Sequence, residues 1–295
     1  MTNIVFFGTE EFSVPTLEAL IASDYEVAAV VTKPDSVRGR GHKLDSPTVA
    51  KIATSHDIKV LQPDKLSDIR DDLIEMHAPI GVLVSYGKII PQSIIDVFPN
   101  GIINLHPSLL PQYRGPSPME AAIVNGDSKT GLTIMSLVRE MDAGPIYYQE
   151  EFPLSGAETK PELYDVLSRR GAELLVDKLP SILDGQLPAE PQDESLATYC
   201  RLIDRQTDGV IDPHTMTASE CERRVRAYLG WPKTRLSYLG SEVIVTKARI
   251  LDNYQGDAWP DVIKCFNDTY LQVIELVAPS GKQMKTADYL RGIRS

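Results

Sequence analysis

Membrane-length apolar runs and paired cysteines are both absent from this 295-residue sequence. No stretch approaches the ~20 apolar residues that a membrane-spanning helix needs. The opening residues, MTNIVFFGTEEF, have neither the basic start nor the long apolar core of a secretory signal. The 3 cysteines, Cys200, Cys221 and Cys265, lie far apart, which argues against a disulfide framework or a CxxC pair. These absences predict a reduced, cytoplasmic chain that does not associate with membranes.

Several common catalytic motifs are missing as well. There is no Walker phosphate loop, no GxGxxG after the first apolar run and no HExxH. Ser117 stands in the sequence GPSP rather than in a GxSxG nucleophile elbow. None of the 5 histidines has paired ligand spacing, so no metal site is predicted. Nucleotide hydrolysis, hydride transfer, serine hydrolysis and zinc catalysis therefore lack their parts.

Positive charge is scarce in the chain as a whole but is unevenly distributed. The net charge of -11 argues against a nucleic-acid binder, because affinity for phosphate backbones comes largely from Lys and Arg. Residues 205–295, however, carry 13 Lys and Arg against 11 Asp and Glu, whereas residues 1–204 carry 17 against 30. This asymmetry indicates different partners for the two parts, although an acidic domain beside a neutral one explains it equally well.

The first half of the chain alternates short apolar runs with amphipathic segments. Runs that are apolar on both faces, separated by helical patterns, predict an α/β fold with a Rossmann-like, mainly parallel sheet and helices on both faces. The predicted strands are residues 4–7, 27–31, 59–61, 80–84, 102–105 and 132–138. The predicted helices are residues 14–22, 46–55, 66–77, 119–125 and 161–182. Ligands of such sheets bind beyond the carboxyl ends of the strands.

The segment GQLPAEPQD, residues 185–193, is rich in proline and polar residues that do not sustain regular structure. It predicts a first domain over residues 1–189, a linker over 190–208 and a second domain over 209–295. In the second domain, Thr217 and Glu220 have the spacing of a capping box at the start of a helix. Short strands separated by turn residues then predict a small β-barrel. They are residues 235–239, 242–251, 261–266 and 270–277.

The end of the predicted strand 102–105 carries two side chains suited to catalysis. Asn104 and His106 are two residues apart, so in an extended chain they point to the same face. An amide donor beside a titratable imidazole can stabilise a developing oxyanion and move a proton. The following loop, residues 107–111, begins and ends with proline, which restricts its conformations.

A second candidate position follows the predicted strand 132–138. The sequence EMDAGP places Asp142 before two small residues, Ala143 and Gly144, which let the backbone approach a ligand closely. A carboxylate at Asp142 can orient His106, stabilise its protonated form or accept a proton through water. Asn104, His106 and Asp142 are therefore the predicted catalytic residues.

The motif NLHPSLLPQYRGPSP, followed by MDAGPIYYQ, resembles the paired motif of the 10-formyltetrahydrofolate-dependent formyltransferases. The Asn, His and Asp of that motif match Asn104, His106 and Asp142 without departure. The resemblance spans nearly the whole chain and continues through FFGTEEFSVPTLEAL, TKPDSVRGRGHKLDSPTVAKIA, VSYGKIIP, PQDESLATYC, RAYLGWP and GKQMKTADYLRG. It implies a catalytic Rossmann-like domain followed by a barrel resembling an OB fold that binds tRNA.

The length and the C-terminal motifs are most similar to the family members that act on methionyl-tRNA. The resemblance implies that 10-formyltetrahydrofolate is the co-substrate and that its formyl group passes to the amino group of initiator methionyl-tRNA, for use in translation initiation. No metal and no obligate protein partner is implied, and a monomer is expected. The implied folate-binding residues are Tyr86, Gly87, Lys88, Ile89, Ile90, Ser108, Leu109, Leu110 and Pro111. The implied tRNA-binding residues are Arg38, Arg40 and Lys43.

Two departures from the family pattern lie outside the catalytic residues. Glu10 stands where proline is usual in GTPxF, and the segment ending at Asp212 lacks the tryptophan that often follows it. These departures affect the expected folate or inter-domain contacts rather than catalysis.

Three other functions remain open from the sequence. A sugar-nucleotide N-formyltransferase would use the same triad on an amino sugar, and a formyltetrahydrofolate hydrolase would use it with water. A non-catalytic RNA-binding protein could also be built on this scaffold. The basic segment 38–43 favours tRNA over a sugar, and the intact triad argues against the non-catalytic alternative.

Overall fold

The computed structural model describes residues 2–38, 43–252, 254–256 and 260–294. The chain divides into two compact units. The first comprises Met1–Pro116, Thr130–Phe152 and Tyr164–Cys200, and the second comprises Ser117–Lys129, Pro153–Leu163 and Arg201–Ser295. Residues 190–200, predicted as part of a linker, thus group with the first unit. Among the described residues, no helix combines the length and the apolar character needed to cross a membrane.

A seven-stranded sheet forms the centre of the first unit. The strands of this part of the chain are β1 (Thr2–Gly8), β2 (Tyr25–Val31), β3 (Ser36–Arg38), β4 (Lys43–Asp45), β5 (Lys59–Leu61), β6 (Ile80–Val84), β7 (Ile102–His106), β8 (Lys129–Ser136) and β9 (Ile146–Pro153). The sheet order is β5, β2, β1, β6, β7, β8, β9, while β3 and β4 form a separate hairpin. The first five strands in that order pair in parallel, and β8 pairs antiparallel with β7.

Helices cover the sheet because its central strands are apolar on both faces. The helices of the first unit are α1 (Val14–Ile21), α2 (Thr48–Ser55), α3 (Arg70–Glu75), α4 (Gln92–Ile95) and most of α6 (Lys160–Leu183). Helix α5 (Pro118–Asn125) belongs to the second unit. On one face of β1, Val5 and Phe7 pack into a core that includes Leu73 and Ile94 from α3 and α4. The alternate residues Ile4 and Phe6 are fully buried as well. Burial on both faces is typical of parallel sheets in α/β proteins.

The predicted α/β class is confirmed, and most of the predicted elements are present. The prediction missed the antiparallel direction of β8, the edge strand β9 and the hairpin of β3 and β4. A half-exposed strand such as β9 has only partly buried and exposed residues, so it lacks the continuous apolar run of the central strands.

An antiparallel sheet with helices packed on it forms most of the second unit. Its elements are α7 (Ala218–Ala227), β10 (Thr234–Tyr238), β11 (Ser241–Ile250), β12 (Val262–Cys265), β13 (Thr269–Val277), β14 (Gln283–Lys285) and α8 (Thr286–Arg294). The strand order is β10, β11, β13, β12, and β14 also pairs with β13. Buried residues Cys221 and Val225 of α7 share a core with Leu236, Val243 and Leu271 of the sheet. The predicted capping box is present, since Thr217 and Glu220 bond reciprocally at the start of α7.

Candidate active site

Strand β7 carries the first two candidate residues near its carboxyl end. Asn104 is paired with Leu83 of β6 and Met135 of β8, and His106 is paired with Thr133 of β8. Because they are two residues apart on one strand, their side chains share a face of the sheet. Each residue is 5% exposed, so both polar side chains are largely removed from water.

The side chain of Asn104 has unused hydrogen-bonding capacity. It forms no hydrogen bond with any residue in the part of the chain that the structure describes. Most buried polar side-chain groups have a partner, because burying an unpaired amide costs roughly 1–3 kcal/mol. The Asn104 amide is not among the described polar atoms that are cut off from solvent without a partner, so it is open to water or to a ligand that enters the site.

His106 is oriented by a backbone carbonyl. Its Nε2 atom lies 3.0 Å from the carbonyl oxygen of Tyr113, and a carbonyl oxygen can only accept. Nε2 therefore carries a hydrogen in both the neutral and the charged ring. The atom that gains or loses a proton is Nδ1, which lies 3.8 Å from Oδ2 of Asp142.

The position of Asp142 near His106 depends on a reversal of the chain after β8. Because β8 is antiparallel to β7, the carboxyl end of β8 lies at the edge opposite to the end of β7. The chain after β8 turns back, and the Ser136 amide donates to the Pro145 carbonyl at 2.8 Å. Gly144 makes this return possible, since a Cβ there would lie 1.7 Å from the Ser136 carbonyl oxygen.

The conformation of Asp142 is fixed by its carboxylate. Its φ of 50° lies in the left-handed region, which Asp adopts more readily than most residues. Oδ2 accepts a hydrogen bond of 2.8 Å from the Gly115 amide. The structure thus brings the three predicted catalytic residues to one place, with the carboxylate facing the titrating nitrogen of the imidazole.

An amide donor, an imidazole and a carboxylate in this arrangement can stabilise an anionic oxygen and transfer a proton. Among the residues that the structure describes, no group of three or more His, Cys, Asp or Glu side chains could hold a metal ion.

Two family models cover most of the chain. The model described as formyl transferase matches residues 2–179, and the model described as formyl transferase, C-terminal domain, matches residues 205–294. The chain belongs to the formyltransferase family. It is a formyltransferase whose matched regions include Asn104, His106 and Asp142.

Relatives of similar length support the same family. A methionyl-tRNA formyltransferase from Lactobacillus acidophilus is 39% identical, and the match covers 99% of this chain and 96% of the relative. One from a Sulfurihydrogenibium species is 35% identical over 99% of this chain and 97% of the relative. The family resemblance inferred from the sequence motifs is therefore confirmed.

Solved structures share the fold at lower identity. An N-formyltransferase from Helicobacter canadensis, in complex with folinic acid and dTDP-3-aminofucose, has a TM-score of 0.72 at 18% identity and covers 92% of this chain and 99% of its own. A 4-N formyltransferase from Francisella tularensis has a TM-score of 0.65 at 22% identity, covering 83% of this chain and 96% of its own. At these identities the likeness concerns the fold.

The loop after His106 is held by internal hydrogen bonds. The four residues predicted to line the folate site here are Ser108, Leu109, Leu110 and Pro111. The Ser108 hydroxyl donates to the Gln112 carbonyl at 2.6 Å, and Thr133 donates to the Ser108 carbonyl at 2.6 Å. Gln149 donates to the Leu110 carbonyl at 2.8 Å. Ser108 and Leu110 are buried, so these two residues contribute to the shape of the loop.

The segment after β6 divides into buried and exposed residues. The residues predicted to contact folate here are Tyr86, Gly87, Lys88, Ile89 and Ile90. Tyr86 is 1% exposed and Ile90 is 5% exposed, and burial raises the pKa of the Tyr86 phenol to about 12. The Lys88 ammonium donates to the carbonyls of Pro63 and Asp64. Ile89, by contrast, is 87% exposed, which makes it the apolar side chain of this segment that a ligand can reach.

Two of the three predicted tRNA-binding residues, Arg38 and Lys43, are the last residue of β3 and the first residue of β4. Arg40 lies outside the described residues, as do the side chains of Arg38 and Lys43. The backbones of Arg38 and Lys43 are paired across the hairpin. The next pair, Val37 and Leu44, is 56% and 68% exposed. The proposed contact of this hairpin with tRNA stays a prediction.

Sequence reasoning missed the groups that hold the triad in place. The Tyr113 carbonyl, the Gly115 amide and the Gln192 side chain all contact triad residues or the loop that carries Asp142. Two of these groups belong to the backbone and leave no trace in residue type. Gln192 was contained in the quoted motif PQDESLATYC, but its partner could not be named without the fold.

Proposed function

We propose that this formyltransferase transfers the formyl group of 10-formyltetrahydrofolate to the amino group of methionyl-tRNA, acting as a cytoplasmic monomer. The observation that carries the chemistry is the amide of Asn104, which has no hydrogen-bond partner among the described residues, beside His106 and Asp142. The choice of acceptor is supported by the near full-length match to relatives named methionyl-tRNA formyltransferase.

Asn104 supplies the electrophilic assistance in this proposal. Its Nδ2 hydrogens donate to the formyl oxygen as negative charge develops there during attack by the amine. The donor is already buried and has no competing partner among the described residues, so little reorganisation is needed at the moment of reaction. Such preorganised donors account for roughly 2.7–4 kcal/mol of transition-state stabilisation each.

His106 and Asp142 handle the proton. The new bond forms between the amino nitrogen and the formyl carbon, and the bond from that carbon to the folate nitrogen N10 breaks. One proton leaves the amino nitrogen, and N10 takes one up. Nδ1 of His106 is the exchangeable site for this transfer, because Nε2 is committed to the Tyr113 carbonyl. Asp142 stabilises the protonated ring from 3.8 Å.

Neighbouring strand ends support binding of the folate at this edge of the sheet. Strands β6 and β7 are parallel neighbours, so the segment 85–90 and the loop 107–111 follow strand ends at the same edge. Exposed Ile89 and the backbone of Gly87 offer an apolar surface with polar backbone groups, as a pterin ring requires. The formyl carbon would then be presented to Asn104.

The tRNA contacts are assigned to cationic residues. Arg38, Arg40 and Lys43 supply three positive charges within the short sequence segment 38–43, and the C-terminal residues carry the higher share of Lys and Arg. Both features attract a phosphate backbone despite the net charge of -11.

Formyl transfer by the purified protein tests this function. The formyl donor is 10-formyltetrahydrofolate, and parallel reactions contain methionyl-tRNA, an amino-sugar nucleotide or no added acceptor. We expect formylation of methionyl-tRNA alone. Transfer only to the sugar nucleotide, or only hydrolysis, would contradict the assigned acceptor. An Asn104→Ala variant distinguishes transfer by this site from a contaminating activity.

A further inference from the structure

Residues 190–200, here called the strap, run beside the loops that carry the catalytic residues. At its start, Glu190 and Ile146 exchange two backbone hydrogen bonds of 2.7 and 2.9 Å. Near its end, the Arg114 amide donates to the Thr198 carbonyl at 2.9 Å, and the Cys200 amide donates to the Arg114 carbonyl at 2.8 Å. The strap is therefore paired with both active-site loops of the first unit.

Gln192 lies between these two paired positions of the strap. Its side-chain amide forms hydrogen bonds through both the nitrogen and the oxygen. Nε2 donates to the carbonyl of Asp142 at 2.8 Å and to the carbonyl of Gly144 at 2.7 Å. Oε1 accepts from Nε and Nη2 of Arg114 at 3.1 and 2.8 Å. The orientation of the amide is determined by its partners, because carbonyls only accept and a guanidinium only donates.

Arg114 makes this arrangement rigid. It is 1% exposed, and a buried guanidinium requires full pairing. Besides Gln192, it donates to both carboxylate oxygens of Glu194 at 3.0 and 2.6 Å and to the Tyr199 hydroxyl at 3.2 Å. The hydrogen bond from Arg114 lowers the pKa of the Glu194 carboxyl.

Asp142 is consequently held through two different groups. Its backbone carbonyl is held by Gln192, and its carboxylate accepts from the amide of Gly115, the residue that follows Arg114. Loss of the Gln192 donors would free the backbone of residues 142–144 from the strap. The Gly115 amide would then be the remaining group that holds Asp142 near Nδ1 of His106.

We propose that Gln192 is a positioning residue that sets the place of Asp142 relative to His106, with Arg114 as its support. The inference rests on the proposed roles of His106 and Asp142 in formyl transfer. Gln192 itself does not touch the reacting atoms. It acts through the carbonyls of Asp142 and Gly144.

Two substitutions separate this role from general support of the fold. Gln192→Met keeps the side-chain length and removes every hydrogen bond of the amide. Gln192→Glu keeps an acceptor for Arg114 but turns an oxygen toward the two carbonyls. The matched control is Gln62→Met, because Gln62 also braces a loop, donating to the Lys33 carbonyl at 3.0 Å.

We expect both Gln192 variants to lower kcat by about 10-fold to 100-fold, the size of effect that small misplacements cause. The KM values for both substrates should stay within about 2-fold, because Gln192 contacts neither substrate. Gln62→Met should retain the wild-type kcat. A wild-type kcat in either Gln192→Met or Gln192→Glu would overturn the inference.

A double-mutant cycle with Asp142→Asn measures whether the effects of the two substitutions on kcat depend on each other, which a merely structural role of Gln192 would not require. If Gln192 acts through the Asp142 carboxylate, Gln192→Met should lower kcat by less than about 2-fold in the Asp142→Asn background. A loss of the same factor in both backgrounds would overturn the inference, as would wild-type kcat in Asp142→Asn alone. The cycle is measured with the acceptor that the wild-type protein formylates. If that acceptor is not methionyl-tRNA, the proposed function is wrong, but the role of Gln192 is still tested.

Discussion

Nδ1 of His106 lies 3.8 Å from Oδ2 of Asp142, with 6% and 16% of the two side chains exposed. This separation is longer than a direct hydrogen bond, which spans about 2.7–3.2 Å for nitrogen and oxygen. The carboxylate can therefore stabilise a charged imidazole without occupying its Nδ1 hydrogen. That hydrogen stays available to a substrate atom, which is what proton transfer to a leaving group requires.

Asn104→Ala should reduce kcat by about 100-fold to 1000-fold, because it removes a preorganised donor at the oxyanion. Its stability should change by less than about 1 kcal/mol, because the Asn104 amide has no hydrogen bond to lose among the described residues. Steady-state kinetics and thermal unfolding of the same sample check both expectations. Asn3→Ala is the matched control, because the Asn3 amide donates to the Met76 carbonyl at 3.2 Å. That variant should lose stability and keep its kcat. A wild-type kcat in Asn104→Ala would contradict the assignment.

Gly144→Ala should abolish most activity, by about 100-fold or more, because the loop bearing Asp142 must move. The added Cβ would lie 1.7 Å from the Ser136 carbonyl oxygen, where no flexible side chain can yield. Gly292→Ala, where a Cβ has nothing within 4 Å, is the control. Comparable kcat in the two variants would show that the return of this loop does not matter for catalysis.

Glu120→Gln should stabilise the second unit at neutral pH. Burial raises the pKa of Glu120, only partly offset by Lys160 at 3.8 Å. A raised folded-state pKa means that the stability contribution is present below the unfolded value of about 4.3 and is lost as pH rises through the folded value. The variant should therefore exceed the wild type in unfolding temperature at pH 7 to 8 and match it near pH 4. The exposed Glu75→Gln controls for loss of one charge. A difference in unfolding temperature that grows as the pH falls would contradict this prediction.

Arg40→Ala should weaken tRNA binding and lower the slope of log affinity against log salt by about 1, the result of losing one phosphate contact. Titrations at several salt concentrations measure both quantities. Arg169→Ala, at a side chain that is 71% exposed on α6, serves as the surface control. An unchanged slope in Arg40→Ala would contradict the assignment of Arg40 to the tRNA contact.

The sheet was predictable because its central strands are buried on both faces and read as apolar runs. The bounds of β5 and β6 agree with the prediction at both ends. The capping box at Thr217 was predictable for a related reason, since its two side chains interact within one turn. Strand β14 and helix α8 were missed, because a three-residue strand has too few positions to show a period.

The candidate site could be predicted only in part. The position of Asn104 and His106 on one face follows from strand geometry alone. The approach of Asp142 does not, because it depends on the return of the chain after β8 and on the close contact of Gly144 with Ser136. The predicted folate residues also differ in how far their side chains are exposed. The sequence does not separate exposed Ile89 from buried Ile90.

The most direct test of the account is single-turnover formyl transfer from 10-formyltetrahydrofolate to methionyl-tRNA by a variant with Asn104, His106 and Asp142 all replaced by alanine. Binding of a reduced-folate analogue and of tRNA is measured on the same preparation. Both ligands should still bind, while the rate of the transfer step should fall at least as far as it does in Asn104→Ala. A triple variant that transfers the formyl group at a near-wild-type rate would contradict the central claim that these three side chains carry the chemistry.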